Sequence, residues 1–108
     1  MKKLPYRAET ATGDTYEVDF PLHEHTVDAV RVSQLISEIL ERIDRSIAVS
    51  GETGNGDVLQ AMAMAMAIRA EMIYAPHGTT SALSVDLLQS ALAAMADSTC
   101  SSKPVGHA

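Results

Sequence analysis

Aromatic side chains are scarce in this chain: 108 residues hold no tryptophan, one phenylalanine (Phe20) and three tyrosines. A core cannot be built around large rings, so Leu, Ile, Val, Met and Ala must fill it. Alanine-rich interiors bury little area per residue, which leaves a monomer of this length marginally stable. Burial against a second chain relieves that deficit. Cysteine is almost absent as well. The single Cys100 excludes an internal disulfide framework and fits a reducing compartment. Basic residues are few, eight Lys and Arg against fourteen Asp and Glu, for a net charge of −6. Nucleic-acid binding needs cations to neutralise phosphates, so direct contact with DNA or RNA is not expected, nor docking on an anionic membrane. Long hydrophobic runs are missing too. The longest, Val58 to Ile68, falls well short of the roughly 20 residues that a membrane-spanning helix needs. The opening MKKLPYRAET has no apolar stretch after its lysines, unlike a secretory signal. A soluble cytoplasmic protein is expected, with a single small domain over residues 1–97 and a disordered tail over 98–108, where Ser, Pro and Gly dominate.

What is present begins with a period of two. Leu4, Tyr6 and Ala8 alternate around Pro5, and Thr12-Gly13-Asp14 supplies a turn. Tyr16, Val18, Phe20 and Leu22 then alternate with Glu17, Asp19, Pro21 and His23, the pattern of a half-buried strand. The two pieces make a hairpin, with each proline confined to an edge. Thr26 is placed to cap a first helix, with Asp28 at the positive end of its dipole. Val32, Leu35, Ile36, Ile39, Leu40, Ile43 and Ile47 form an apolar stripe at spacings of three and four, on a helix of about five turns. Glu38 with Arg42, and Glu41 with Arg45, are favourable i,i+4 pairs. Gly51 ends this helix, and Asn55 or Asp57 caps the next. The glycines at 51, 54 and 56 match neither phosphate-binding pattern: no lysine follows, no strand precedes, and Glu52 and Asp57 would repel a phosphate.

The central segment, Asp57 to Tyr74, reads DVLQAMAMAMAIRAEMIY. Ala and Met favour a helix, and between Val58 and Ile68 only Gln60 is polar. At about 100° per residue Met62 and Met66 share one side with Leu59 and Ile73. Met64 lies nearly opposite, extended by Ile68 and Met72. A helix apolar on opposing flanks must be covered on both, and so short a chain has little to cover it with. These seven residues are the candidate interface, either with a second copy in a homodimer or with another protein. A third helix follows, capped by Ser84, with Val85, Leu88, Ala91, Leu92 and Met95 as its stripe. The fold class expected is α+β, mainly α: a short N-terminal hairpin and three helices.

Catalytic chemistry is hard to find. No serine sits in a G-x-S-x-G elbow, and His77 near Thr79 and Ser81 is adequately explained by a helix connection. Glu71, on the apolar central helix, is expected to pair with Arg69 or a neighbouring chain. No enzyme activity and no cofactor are expected. The alternative reading is a small metal-dependent enzyme or metal-binding module using His23 and His25, which share a face of an extended strand but lack a third ligand at recognised spacing.

The YEVDFPL strand, the VSQLISEILERI helix and the GNGDVLQAMAMAMAIRAEMI segment, within Tyr16 to Ala96, together resemble the QslA type of quorum-sensing antiactivator in overall plan. That resemblance implies a small acidic helical protein that binds the ligand-binding domain of the LuxR-type regulator LasR and keeps it from dimerising. The implied partners are a second copy and a LuxR-type transcription factor. No functional residue is carried over, because no short motif defines the type.

Overall fold

A computed structural model of the chain describes residues 2–102. It is α+β and mainly helical, a short antiparallel hairpin followed by three helices, as the periodicities require. Strands β1 (Lys3–Glu9) and β2 (Asp14–Pro21) pair with Leu4 opposite Phe20, Tyr6 opposite Val18 and Ala8 opposite Tyr16. All the apolar alternates therefore lie on one face, where the Tyr6 and Phe20 rings stand 6.5 Å apart. The turn is closed by Thr10, whose N–H donates to the Asp14 carbonyl at 2.8 Å. Its hydroxyl accepts from the Asp14 N–H at 3.0 Å. Gly13 supplies the left-handed φ of 94° that the turn needs.

The sheet holds a strand that the sequence reading assigned to the tail. β3 (Thr99–Ser102) pairs with the other side of β2, Tyr16 opposite Cys100, giving the order β1-β2-β3. Ser102 Oγ donates to Asp14 Oδ1 at 2.8 Å. Four polar residues carry no period to detect; the open edge of β2, which takes up their backbone groups, is what orders them. Residues 103–108 of the expected tail lie outside the described residues. Pro5 sits on the edge strand β1, where a missing donor is tolerated.

Helix α1 (Ala29–Ser50) is capped by Asp28, whose Oδ1 accepts from the Arg31 N–H at 3.0 Å. The expected cap, Thr26, instead donates its backbone N–H to the His23 carbonyl in a preceding turn. Gly51 closes α1 at φ 92°, its N–H on the Ile47 carbonyl. Glu41 and Arg45 pair as expected, whereas Glu38 turns back to Arg31 at 3.9 Å rather than to Arg42.

Helix α2 (Asn55–Glu71) begins after Gly54 with no side-chain cap, so neither Asn55 nor Asp57 plays that part, and Asp57 sits in the first turn instead. α3 (His77–Ala96) starts seven residues before the expected Ser84. Pro76 precedes its first turn with a pre-set φ of −58°. Thr80, which reads as a loop, and Ser84, which reads as the cap, are absorbed by the helix: Thr80 Oγ1 donates to the His77 carbonyl and Ser84 Oγ to the Thr80 carbonyl.

α3 packs on β2, α2 packs on α3, and α1 packs on β1 alone among the described residues. The resulting body is open, 56 × 35 × 22 Å with a radius of gyration of 15.8 Å, against about 13 Å for a compact chain of this length. Its accessible surface is 8572 Å², whereas a folded monomer of this mass exposes about 5,800 Å². Among the described residues only Leu4 and Val18 are buried hydrophobics.

Candidate interaction surface

The row Val58, Met62, Met66 and Ala70 repeats every four residues along α2 and is its least exposed side, the side turned to α3. Met62 remains 38% exposed and Met66 is half-buried. The opposite flank is open: Met64 is 57%, Ile68 64% and Met72 65% exposed. Leu59 is exposed as well, at the rim of the covered row. Ile73 follows the helix end at Glu71, within a turn where its N–H donates to the Ala70 carbonyl, so the helical angle that grouped it with Met62 does not apply. The seven candidate residues therefore divide. Met62 and Met66 meet α3, while Leu59, Met64, Ile68, Met72 and Ile73 face outward.

α3 divides the expected stripe, with Ala91 and Met95 on its inward side and the other three residues outside. Its inward side carries Thr80, which is buried, with Ala91, Ala94 and Met95 half-buried, while Val85, Leu88 and Leu92 of the expected stripe are exposed. Leu88 and Leu92 are left on the outer side, while Leu83 is half-buried. The α1 stripe fares similarly: Val32, Ile36, Ile43 and Ile47 are half-covered, Leu35, Ile39 and Leu40 are exposed, and no residue of the helix is buried among the described residues.

Where α2 turns into α3, Glu71 Oε2 and His77 Nδ1 lie 2.8 Å apart, and His77 Nε2 lies 3.3 Å from Ser81 Oγ. The partner of Glu71 is thus His77 and not Arg69, whose Nη1 contacts Met72 Sδ at 3.3 Å. Carboxylate, imidazole and hydroxyl stand in the order of a nucleophile relay. The first two are 65% and 76% exposed, however, and water screens them. As packing, the three tie the end of α2 to the first turns of α3. Two open grooves among the described residues lie elsewhere. One of about 790 Å³ runs between the sheet and α3, bordered by Arg7, Glu17, Asp19, Ala94 and Asp97. The other, of about 400 Å³, runs between β1 and α1.

His23 and His25 approach to 5.2 Å between ring centroids. His23 Nδ1 accepts the backbone N–H of His25 at 3.1 Å, and His25 Nε2 lies 3.5 Å from Glu24. Among the described residues no group of three or more His, Cys, Asp or Glu side chains is placed to hold a metal ion. Cys100 is exposed on β3 beside Tyr16. The charge and hydrogen bond of the thiol, and more weakly Asp14, raise the Tyr16 phenol above its ordinary range. No helix among the described residues is long and apolar enough to cross a membrane.

Comparison of the chain with protein-family models, with curated proteins and with solved structures finds no match.

Proposed function

We propose that the protein is a regulatory binding module, an antiactivator that sequesters a LuxR-type quorum-sensing regulator by covering the surface through which that regulator dimerises. Loss of the regulator's dimer lowers its DNA binding as a consequence, without contact between this acidic chain and DNA. The observation that carries the reading is the open flank of α2, Met64, Ile68 and Met72. Three flexible, polarisable or aliphatic side chains in a row make a surface that adapts to a foreign partner. Leu59 and Ile73 extend it at either end. The protein acts as a homodimer in the cytoplasm, by mass action and with no cofactor or catalytic step.

The test is a pull-down from lysate with the full chain, followed by titration of the captured regulator's ligand-binding domain. Recovery of one LuxR-type regulator, with its dimer converted to a complex with this chain, is the expected result. Recovery of assembly components, or a regulator dimer that persists at saturating chain, contradicts the reading.

A further inference from the structure

We infer that the open edge of β1, where it runs beside α1, is a docking groove for an extended basic segment of another protein, which adds to the sheet as a further strand. The inference goes beyond the sequestering proposal and stands whatever occupies α2. The hairpin register fixes which backbone groups are free. Thr10 donates its N–H to the Asp14 carbonyl, and Leu22 donates to the Lys2 carbonyl. The bonded pairs therefore fall on the even residues of β1, Leu4, Tyr6 and Ala8. Lys3, Pro5, Arg7 and Glu9 turn their backbone groups the other way, to a side with no neighbouring strand among the described residues. The groove of about 400 Å³ follows this edge. Residues 6–9 border it in unbroken succession, so side chains from both faces of the strand flank it, as they do only along an edge. Opposite stand Ser37, Leu40, Glu41 and Asp44, spaced as one side of a helix. The Tyr6 hydroxyl and Ser37 Oγ, 2.8 Å apart, hold the two walls together at one point.

Geometry and charge identify the occupant. Addition of a peptide to a sheet edge is a recurring mode of recognition, in which main-chain bonds hold the peptide and alternate side chains are read. Residues 6–9 offer about 14 Å of edge at 3.4 Å per residue. Ser37 to Asp44 offers about 10 Å of helix at 1.5 Å per residue, a match for a short extended segment. The lining carries Glu9, Glu41 and Asp44 against one guanidinium, that of Arg7. Arg7 lies 3.9 Å from Glu9, and Arg45 takes Glu41, which leaves Asp44 without a cation among the described residues. A lysine or arginine of the incoming strand supplies it. Tyr6, Ala8 and Leu40 border the same groove and suit an apolar residue at the alternate positions. Pro5 works against a second copy as occupant. It removes a donor from the middle of this edge, so β1 of another copy laid along the whole strand loses a rung. A short segment on Arg7 and Glu9 loses none.

The probe is a fluorescein-labelled octapeptide of alternating valine and lysine, titrated into the full chain and followed by fluorescence anisotropy. Binding that weakens with salt, with amide NMR shifts confined to Arg7, Glu9 and the facing side of α1, is the expected result. Asp44→Lys is expected to weaken it at least tenfold. So is Arg7→Pro, which deletes a donor on the open edge and none of the bonds to β2. Should Arg7→Pro fail to fold, the same peptide N-methylated at every second amide decides, made in both registers, because one register is expected to lose at least tenfold. Absence of binding at millimolar peptide, equal binding with glutamate in place of lysine, or equal binding of the parent and both methylated forms overturns the inference. So does self-association of the chain that Arg7→Pro abolishes, which would put a second copy on the edge. None of these readings needs a regulator, whose capture or loss bears on the α2 flank alone.

Discussion

Two side chains show how single positions steer this fold. Asp28 is an N-cap because its carboxylate reaches the Arg31 N–H while its own backbone stays extended, at φ −140° and ψ 95°. Asp28→Ala is expected to cost about 1 kcal/mol, read as a lowered midpoint in urea with an unchanged slope. Tyr16 shows the reach of β3. Cys100 beside it favours the neutral phenol, so the folded state holds that proton to higher pH than the unfolded chain does. Stability contributed by this pair is complete below the ordinary tyrosine value of about 10 and is lost as pH rises through the raised one. Cys100→Ser should bring Tyr16 ionisation to lower pH, followed by ultraviolet absorbance. An unmoved titration would mean that the two side chains are not neighbours in solution. Neither effect could be read from sequence: Thr26 and Asp28 are both good caps, and which one serves depends on where the preceding turn at His23 ends.

At the scale of elements, strong periodicity was legible and weak periodicity was not. The alternation from Tyr16 to Leu22 gave the strand, and the seven-residue stripe gave α1, because each repeats one spacing several times. β3 was missed for want of repeats, and the start of α3 was misplaced because Thr79, Thr80 and Ser81 carry loop chemistry, although the Thr80 and Ser81 hydroxyls find the carbonyl and ring of His77 within the helix. Within α3 the expected stripe holds in part: Ala91 and Met95 are half-buried, whereas Val85, Leu88 and Leu92 are exposed. Half-burial falls on Leu83, Ala91, Ala94 and Met95 and not on Leu88 and Leu92, a division set by which side of α3 meets β2 and α2. Truncation after Ser98 should lower stability by on the order of 1–2 kcal/mol, since several ladder hydrogen bonds are lost and only a few residues are freed. A thermal midpoint equal to that of the full chain would show that β3 adds nothing. On α2, Met64→Glu with Ile68→Glu should leave stability within about 0.5 kcal/mol, because both positions are open, while regulator capture falls at least tenfold. Met66→Glu, on the row against α3, should instead unfold or strongly destabilise the chain, as monitored by circular dichroism.

The molecule as a whole has few large side chains inside and many outside. Sequence foretold that shortage: without tryptophan, and with alanine and methionine through its centre, the chain cannot enclose its own apolar surface. It placed apolar residues on opposing flanks of α2 but not how those flanks divide, since that depends on α3 lying along the Met62–Met66 row. The open arrangement, in which α1 packs on β1 alone among the described residues, leaves apolar side chains of α1, α2 and α3 exposed on one small body. The most direct measurement is the mass of the full chain by sedimentation equilibrium across the micromolar range. The account predicts about twice the chain mass of 11.5 kDa, with no dissociation above micromolar concentration. A single stable species at the chain mass, folded and soluble with its apolar faces open to water, would contradict it.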